Sequence, residues 1–420
     1  MIKTSLYGLM SALTGALDMM SPQLAGHHRQ VAYFMLRMGE QLKLKREELK
    51  DLVVAGLIHD IGALSADQLL AIIENEEISE NDHGFRGAKF AEMFSTFSGI
   101  ADIIKYHHHP WQDGAGAFFE GNPVPTGAHY INIADYVCSF MGVHGYTMEA
   151  RKKLVARVQR NTPSRFEPGA AAAVAEMINK EYIWLDLKNN HYEESLESII
   201  GDLTLDLDAI EEITLMFSKI IDFRSRFTAR HSAGVARIAE ALARLVGFSE
   251  TECKLMLIAG YLHDIGKLAV SNDILEKTGS LDAKELDIIR SHTYYTYRLL
   301  EKIPNFETIN TWAACHHEKL DGTGYPFGLD ARDLPCGSRI MAVADIATAI
   351  LEDRPYRAGL NHKQTANIMN NLVASGAIDG NIVKILISNI ERIDEIRIKT
   401  QSEADNLYEN FYPPEFKNAY

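Results

Sequence analysis

The residues able to do chemistry in this chain form one histidine–aspartate series: His231, His263-Asp264, His292, His316-His317 and Asp345. Five imidazoles and two carboxylates make a borderline N/O ligand set suited to iron, manganese or zinc, and the lack of a thiolate argues against a structural zinc site. Seven such side chains exceed what one ion can use while keeping room for water. Two ions bridged by one carboxylate would use them all. Asp264 is the natural bridge, because its neighbour His263 can serve one ion while its own two oxygens face both. A binuclear site lowers the pKa of bound water to about 7 and clamps a phosphoryl group during in-line attack, so the expected chemistry is phosphate-ester hydrolysis.

The histidine pair opens the string His316-His-Glu-Lys-Leu-Asp-Gly-Thr-Gly-Tyr-Pro326. Gly322 and Gly324 allow tight backbone geometry and Pro326 stiffens the exit, with Tyr325 set to reach the mouth of the site. Together with His263-Asp-Ile-Gly-Lys267 and Ala344-Asp345, this string resembles the HD-GYP phosphodiesterases of the HD hydrolase superfamily, over residues 222 to 357. The resemblance implies an all-α fold. It also implies a metal-dependent phosphodiesterase that opens cyclic di-GMP to linear pGpG, and onward to GMP. The alternative substrate is 3′3′-cyclic GMP-AMP (cGAMP), which some tandem members of the family prefer. A metal-containing dinucleotide sensor without turnover is the non-enzymatic alternative.

By the same resemblance His231, His263, Asp264 and Asp345 would hold one divalent ion, and Asp264, His292, His316 and His317 the other. Iron is favoured, with manganese as the alternative. Phe227 stands where some members carry a glutamate for a third metal, so two ions are expected. Lys267 and Asp264 are the expected catalytic residues. Tyr325, Arg354, Arg357, Gly322 and Gly324 are the expected substrate-binding residues, a guanidinium fork being suited to phosphate or a guanine edge.

The series occurs twice. Ala55-Gly-Leu-Ile-His-Asp-Ile-Gly-Ala-Leu64 repeats as Ala259-Gly-Tyr-Leu-His-Asp-Ile-Gly-Lys-Leu268, and His27 precedes His231 by the same 204 residues. Two tandem HD-type domains are therefore expected, over residues 1–200 and 201–420. The first copy offers a second metal site from His27, His59, Asp60, His83, His108, His109 and Asp135; Asp113-Gly and Gly116 favour the His108 register over His107. Its phosphate-gripping residues are replaced. Ala63 stands for Lys267, Ala117-Phe118 for Tyr325-Pro326, and His144 and Thr147 for the two arginines. This copy lacks the GYP motif and is read as regulatory.

Helices must position these residues. Apolar residues recur at three- and four-residue steps over 31–42, 46–59, 235–246 and 251–263, and alternating β-branched runs are absent. Ser249 with Glu252 predicts a capping box ahead of the helix that ends in His263-Asp264. The composition fits a globular protein, with 46% hydrophobic and 24% charged residues. A net charge of −15 opposes binding to nucleic-acid polymers or anionic membranes. Four cysteines without CxxC spacing fit a reducing, cytoplasmic setting. The expected partners are a cyclic dinucleotide and either a second copy of the chain or a signalling protein.

Overall fold

A computed structural model describes residues 3–20, 25–63, 82–222, 230–277, 279–353 and 357–411. The chain folds as two compact units, Thr4–Leu205 and Asp206–Tyr420, the latter with Met1–Lys3. The division falls at Leu205 because Thr4–Ser5 pairs antiparallel with Thr204–Leu205 and ties the ends of the first unit together. Apart from that pair, one short hairpin (Phe118–Phe119 with Asn122–Pro123) and an isolated bridge, the described residues hold no strands. The architecture is all-α.

Each unit uses the same six helices around its site. In the first these are α1 (Leu6–Asp18), α2 (His27–Gln41), α3 (Arg46–Ile58), α4 (Asp82–Glu92), α5 (Ala101–Lys105) and α6 (Thr126–His144). In the second they are α7 (Leu207–Asp222), α8 (His231–Val246), α9 (Glu250–Leu262), α10 (Ala283–Leu300), α11 (Glu307–Ala314) and α12 (Cys336–Leu351). Further helices, among them Met148–Arg160 and His362–Ala374, pack around these.

The central helix of each unit is apolar nearly all round. On α9 every residue from Leu255 to Leu262 is buried, as expected of a core helix enclosed by neighbours. Its start is set by the Ser249–Glu252 capping box anticipated from the sequence. Two glycines then govern how closely the neighbours approach. A Cβ on Gly260 would lie 2.4 Å from the Ala236 Cα, so α8 and α9 touch backbone to backbone there, and Gly56 sits 3.0 Å from Ala32 in the same way. A Cβ on Gly266 would lie 2.0 Å from the His292 carbonyl oxygen, and Gly62 repeats that 2.0 Å approach to His83. The turn after each His-Asp pair therefore lies directly on the helix that carries the next histidine.

Candidate active site

In the second unit α9 ends at Leu262, and His263 caps it. The His263 Nδ1–H donates 2.8 Å to the Gly260 carbonyl in its own last turn, which turns Nε2 outward. The same device recurs twice: His292 Nδ1 donates to Ile289 and His316 Nδ1 to Ala313, each at 2.6 Å. Both rings are held neutral. Burial pushes His292 down to about 3 and drives His316 well below its ordinary value.

The carboxylates divide between two ligand groups. His292, His316 and His317 form one, and His231, His263 and Asp264 the other, the ligand atoms of each lying within 4.8 Å of one another. Asp264 spans both: Oδ2 is 3.2 Å from His263 Nε2, and Oδ1 is 3.3 Å from His292 Nε2. Asp345 lies 3.1 Å from His231 Nε2 through Oδ1 and 3.8 Å from His317 Nδ1 through Oδ2. All seven residues of the series are thus brought together.

This donor set fits a pair of divalent cations. The buried His263 Nε2 and Asp264 Oδ1 have no hydrogen-bond partner. His292 Nε2 and His316 Nε2 face each other at 3.3 Å, each with its proton on Nδ1. Two lone pairs at that distance repel unless a positive charge lies between them and the carboxylate.

Lys267 sits in the 3₁₀ turn Ile265–Ala269, with Nζ 2.5 Å from Asp264 Oδ2. Burial would lower its pKa, but the charges of Asp264 and Asp345 hold it raised, so it stays protonated. Tyr325 lies with its ring 5.0 Å from that of His317. The two glycines of the string shape the loop. Gly322 takes φ +75°, and a Cβ on Gly324 would lie 2.4 Å from the Glu318 Cα. Arg357 donates 2.5 Å to the Ala349 carbonyl in the last turn of α12, acting as a helix C-cap. Arg354 and Phe227 lie outside the described residues.

Two carboxylates that support the site escaped the sequence reading. Glu352 accepts from His231 Nδ1 at 3.1 Å and is itself held by Gln401 at 3.0 Å. Burial opposes protonation of His231, but Glu352 and Asp345 on either side push its pKa up to about 10. Glu318 is buried beneath the GYP loop and accepts the backbone N–H groups of Phe327, Gly328 and Leu329 at 2.6, 3.1 and 3.0 Å. Its position directly after the histidine pair was the available signal.

The first unit builds a matching centre and corrects one pair of residues. His59 Nε2 lies 3.1 Å from Asp60 Oδ2, His83 Nε2 3.3 Å from Asp60 Oδ1, and His27 Nε2 3.2 Å from Asp135. The histidine pair facing Asp60 is His107-His108, not His108-His109. His107 Nδ1 donates 2.6 Å to Ile104, and its Nε2 lies 3.1 Å from that of His83, as His316 does with Ala313 and His292. The ring geometry of the two pairs also agrees, at 4.1 Å and 46° against 4.1 Å and 47°. His109 falls where Glu318 lies in the second unit and packs on Phe119 and Tyr106 instead. The spacing would have settled the register, since 209 residues separate both His83 from His292 and His107 from His316.

Elsewhere the units part. His28 replaces Ser232, donating to Asp18 at 2.9 Å where the Ser232 hydroxyl donates to Asp222 at 2.6 Å. His144 stacks on Phe140 at 4.1 Å and Thr147 N-caps the following helix, so neither presents a cation to the centre. Phe118 starts the short hairpin and is 61% exposed.

HD-domain family models match residues 24–139 and 215–382. The 3'3'-cGAMP-specific phosphodiesterase 1 of Vibrio cholerae is 28% identical over 91% of this chain and 91% of its own. Phosphodiesterase 3 of that name and organism is 29% identical over 86% of this chain and 89% of its own. The cyclic di-GMP phosphodiesterase response regulator of Xanthomonas campestris is 35% identical, but over only 33% of this chain and 38% of its own. The crystal structure of the V. cholerae cyclic GMP-AMP specific phosphodiesterase V-cGAP3 superposes with a TM-score of 0.63 at 25% identity, covering 93% of this chain and 98% of that one. No helix among the described residues is long and apolar enough to cross a membrane. With matching ligand groups in both units and the GYP string confined to the second, the chain belongs to the HD-domain family as a tandem protein.

Proposed function

We propose that the chain is a metal-dependent cyclic-dinucleotide phosphodiesterase whose C-terminal unit hydrolyses 3′3′-cGAMP, with cyclic di-GMP as the second reading. Motifs alone put cyclic di-GMP first. One observation reverses that order: the relatives matched along both units are named for 3'3'-cGAMP, whereas those named for cyclic di-GMP match from 33% to 46% of the chain.

Bound by the two ligand groups, divalent ions would supply Lewis-acid polarisation of the phosphoryl group and a nucleophilic water. Iron is our choice, manganese the alternative. The chain's own residues supply the rest. Asp264 fixes the separation of the two groups through its two oxygens. Lys267, protonated beside Asp264, stabilises the charge that grows on the phosphate and donates its Nζ proton toward the leaving 3′ oxygen as the P–O bond breaks. Glu352 accepts the His231 Nδ1 proton and fixes the direction of the ring. The Glu318-anchored loop holds Tyr325 at the mouth.

We assign the first unit a metal-binding, regulatory role without dinucleotide hydrolysis. Its ligand geometry repeats that of the second unit, while Ala63, His144 and Thr147 leave it without phosphate-gripping cations. The test is hydrolysis of both cyclic dinucleotides side by side, by product chromatography, using protein purified anaerobically with ferrous iron or manganese. Turnover of 3′3′-cGAMP, abolished by Asp264→Ala and retained in Asp60→Ala, is expected. Turnover of neither by metal-loaded protein overturns the reading.

A further inference from the structure

We infer that Arg290 is a substrate-binding residue that grips the phosphate not being cleaved. The inference rests on the cyclic-dinucleotide reading above and extends it to a side chain outside the GYP and HD motifs.

Arg290 lies on α10, two residues before His292, and is exposed where His292 is fully buried. Its guanidinium carbon stands 4.5 Å from the centre of the Tyr325 ring. That ring is in turn 5.0 Å from His317. The His317 side chain is 30% exposed, whereas those of His292 and His316 are 0% and 1% exposed. A run of ring contacts, His317 to a tilted Tyr325 ring to the Arg290 guanidinium above it, therefore leads from the most exposed of the ligand histidines out to Arg290.

The charge around this stack leaves Arg290 available. Among the described residues it forms no ion pair, while Lys277 and Arg298 are held by Glu285 and Glu301. Lys267 is engaged with Asp264, and Arg357 caps α12. A guanidinium placed over an aromatic ring without an ion pair still has N–H groups to offer a bidentate acceptor such as a phosphate. A cyclic dinucleotide has two phosphodiesters. With one at the ligand groups, the other must be met by a cation in a protein of net charge −15.

The test compares 3′3′-cGAMP with bis(p-nitrophenyl) phosphate, which has a single phosphodiester. Arg290→Met keeps an unbranched chain to pack on Tyr325 and removes the charge. Losing a charged hydrogen bond should raise KM for the dinucleotide about 10- to 100-fold and lower the ratio of the two kcat/KM values by the same factor. Arg290→Lys should recover part of that ratio. An equal loss on both substrates, or no change on either, overturns the assignment while leaving the phosphodiesterase reading intact. Wild-type protein that cleaves only the small diester overturns both.

Discussion

His292 and His316 point unprotonated Nε2 atoms at each other across 3.3 Å, because both rings give their Nδ1 protons to backbone carbonyls one turn back. Removing either ring should release one ion and leave the His231–His263–Asp264 group loaded. We expect His292→Ala to lower the metal content of the second unit from two equivalents to one. Hydrolysis should fall more than about 100-fold, as for loss of a principal electrostatic contributor. Elemental analysis of the activity-assayed sample checks both. Loss of both ions would mean that the groups do not fill independently.

Lys267 is a different kind of residue from the ligands, since it touches Asp264 without offering a lone pair. Lys267→Met should reduce kcat by about 10²- to 10⁴-fold with metal content unchanged. Full activity in this variant would reduce the Lys267–Asp264 contact to a structural ion pair.

Glu318 accepts three backbone amides from the segment after Tyr325. Glu318→Gln puts an N–H where one of those donors needs an acceptor, at a cost of about 1–3 kcal/mol to loop order. Hydrogen exchange at Phe327–Leu329 should accelerate and KM for dinucleotide should rise. Unchanged exchange would show that the loop is held from elsewhere.

Gly260 and Gly266 have no room for a side chain. Gly266→Ala drives a methyl group against the His292 carbonyl, and overpacking of this kind costs about 1–3 kcal/mol or more. Urea denaturation should show that loss, together with weakened metal binding, because the displaced backbone carries a ligand. Gly279→Ala, where nothing lies within 4 Å, is the control expected to stay within about 0.5 kcal/mol of the parent.

Asp222 offers a pH test. Burial pushes its carboxyl up to about 7, against the opposing hydrogen bond from Ser232. The unfolded chain titrates near 3.9. Between those values the folded state holds a proton that the unfolded state has lost, so this group makes stability fall as pH rises through the window. Asp222→Asn removes the effect. The stability of the variant relative to the parent should be on the order of 2 kcal/mol more favourable at pH 8 than at pH 5, by urea titration of chelator-treated protein. A pH-independent difference would place an ionised carboxylate there throughout.

Contiguous signals made most of this site legible. The His-Asp-Ile-Gly turn and the His-His pair each sit within one stretch of chain, and their residue types declare their chemistry. Helix starts were harder. Periodicity begins at Val31 and Val235, yet α2 and α8 begin four residues earlier, at His27 and His231. Those first turns face the ligand groups with polar residues, so an apolar count passes over them. In the run His107-His108-His109 the Asp-Gly anchor places the pair one residue late, because the stretch between histidine and Asp-Gly is one residue longer in the first copy. Glu352 carries no signal in the sequence, and Glu318 only its place directly after the histidine pair. What matters in each is a tertiary contact, with His231 across 121 residues or with backbone amides that carry no residue signature.

The ligand groups also join distant parts of the chain. His231 and Asp345 are separated by 114 residues and meet at 3.1 Å, with His263, His292 and His316 gathered between them. Any cation shared by these residues closes a loop that takes in about half of the second unit. A covalent link over a loop of that length is worth about 4–5 kcal/mol in chain entropy. The reaction centre is thus also the domain's fastener. Metal starvation should release the chain for proteolysis as it stops catalysis, so the supply of ions would govern how long the protein survives as well as whether it works.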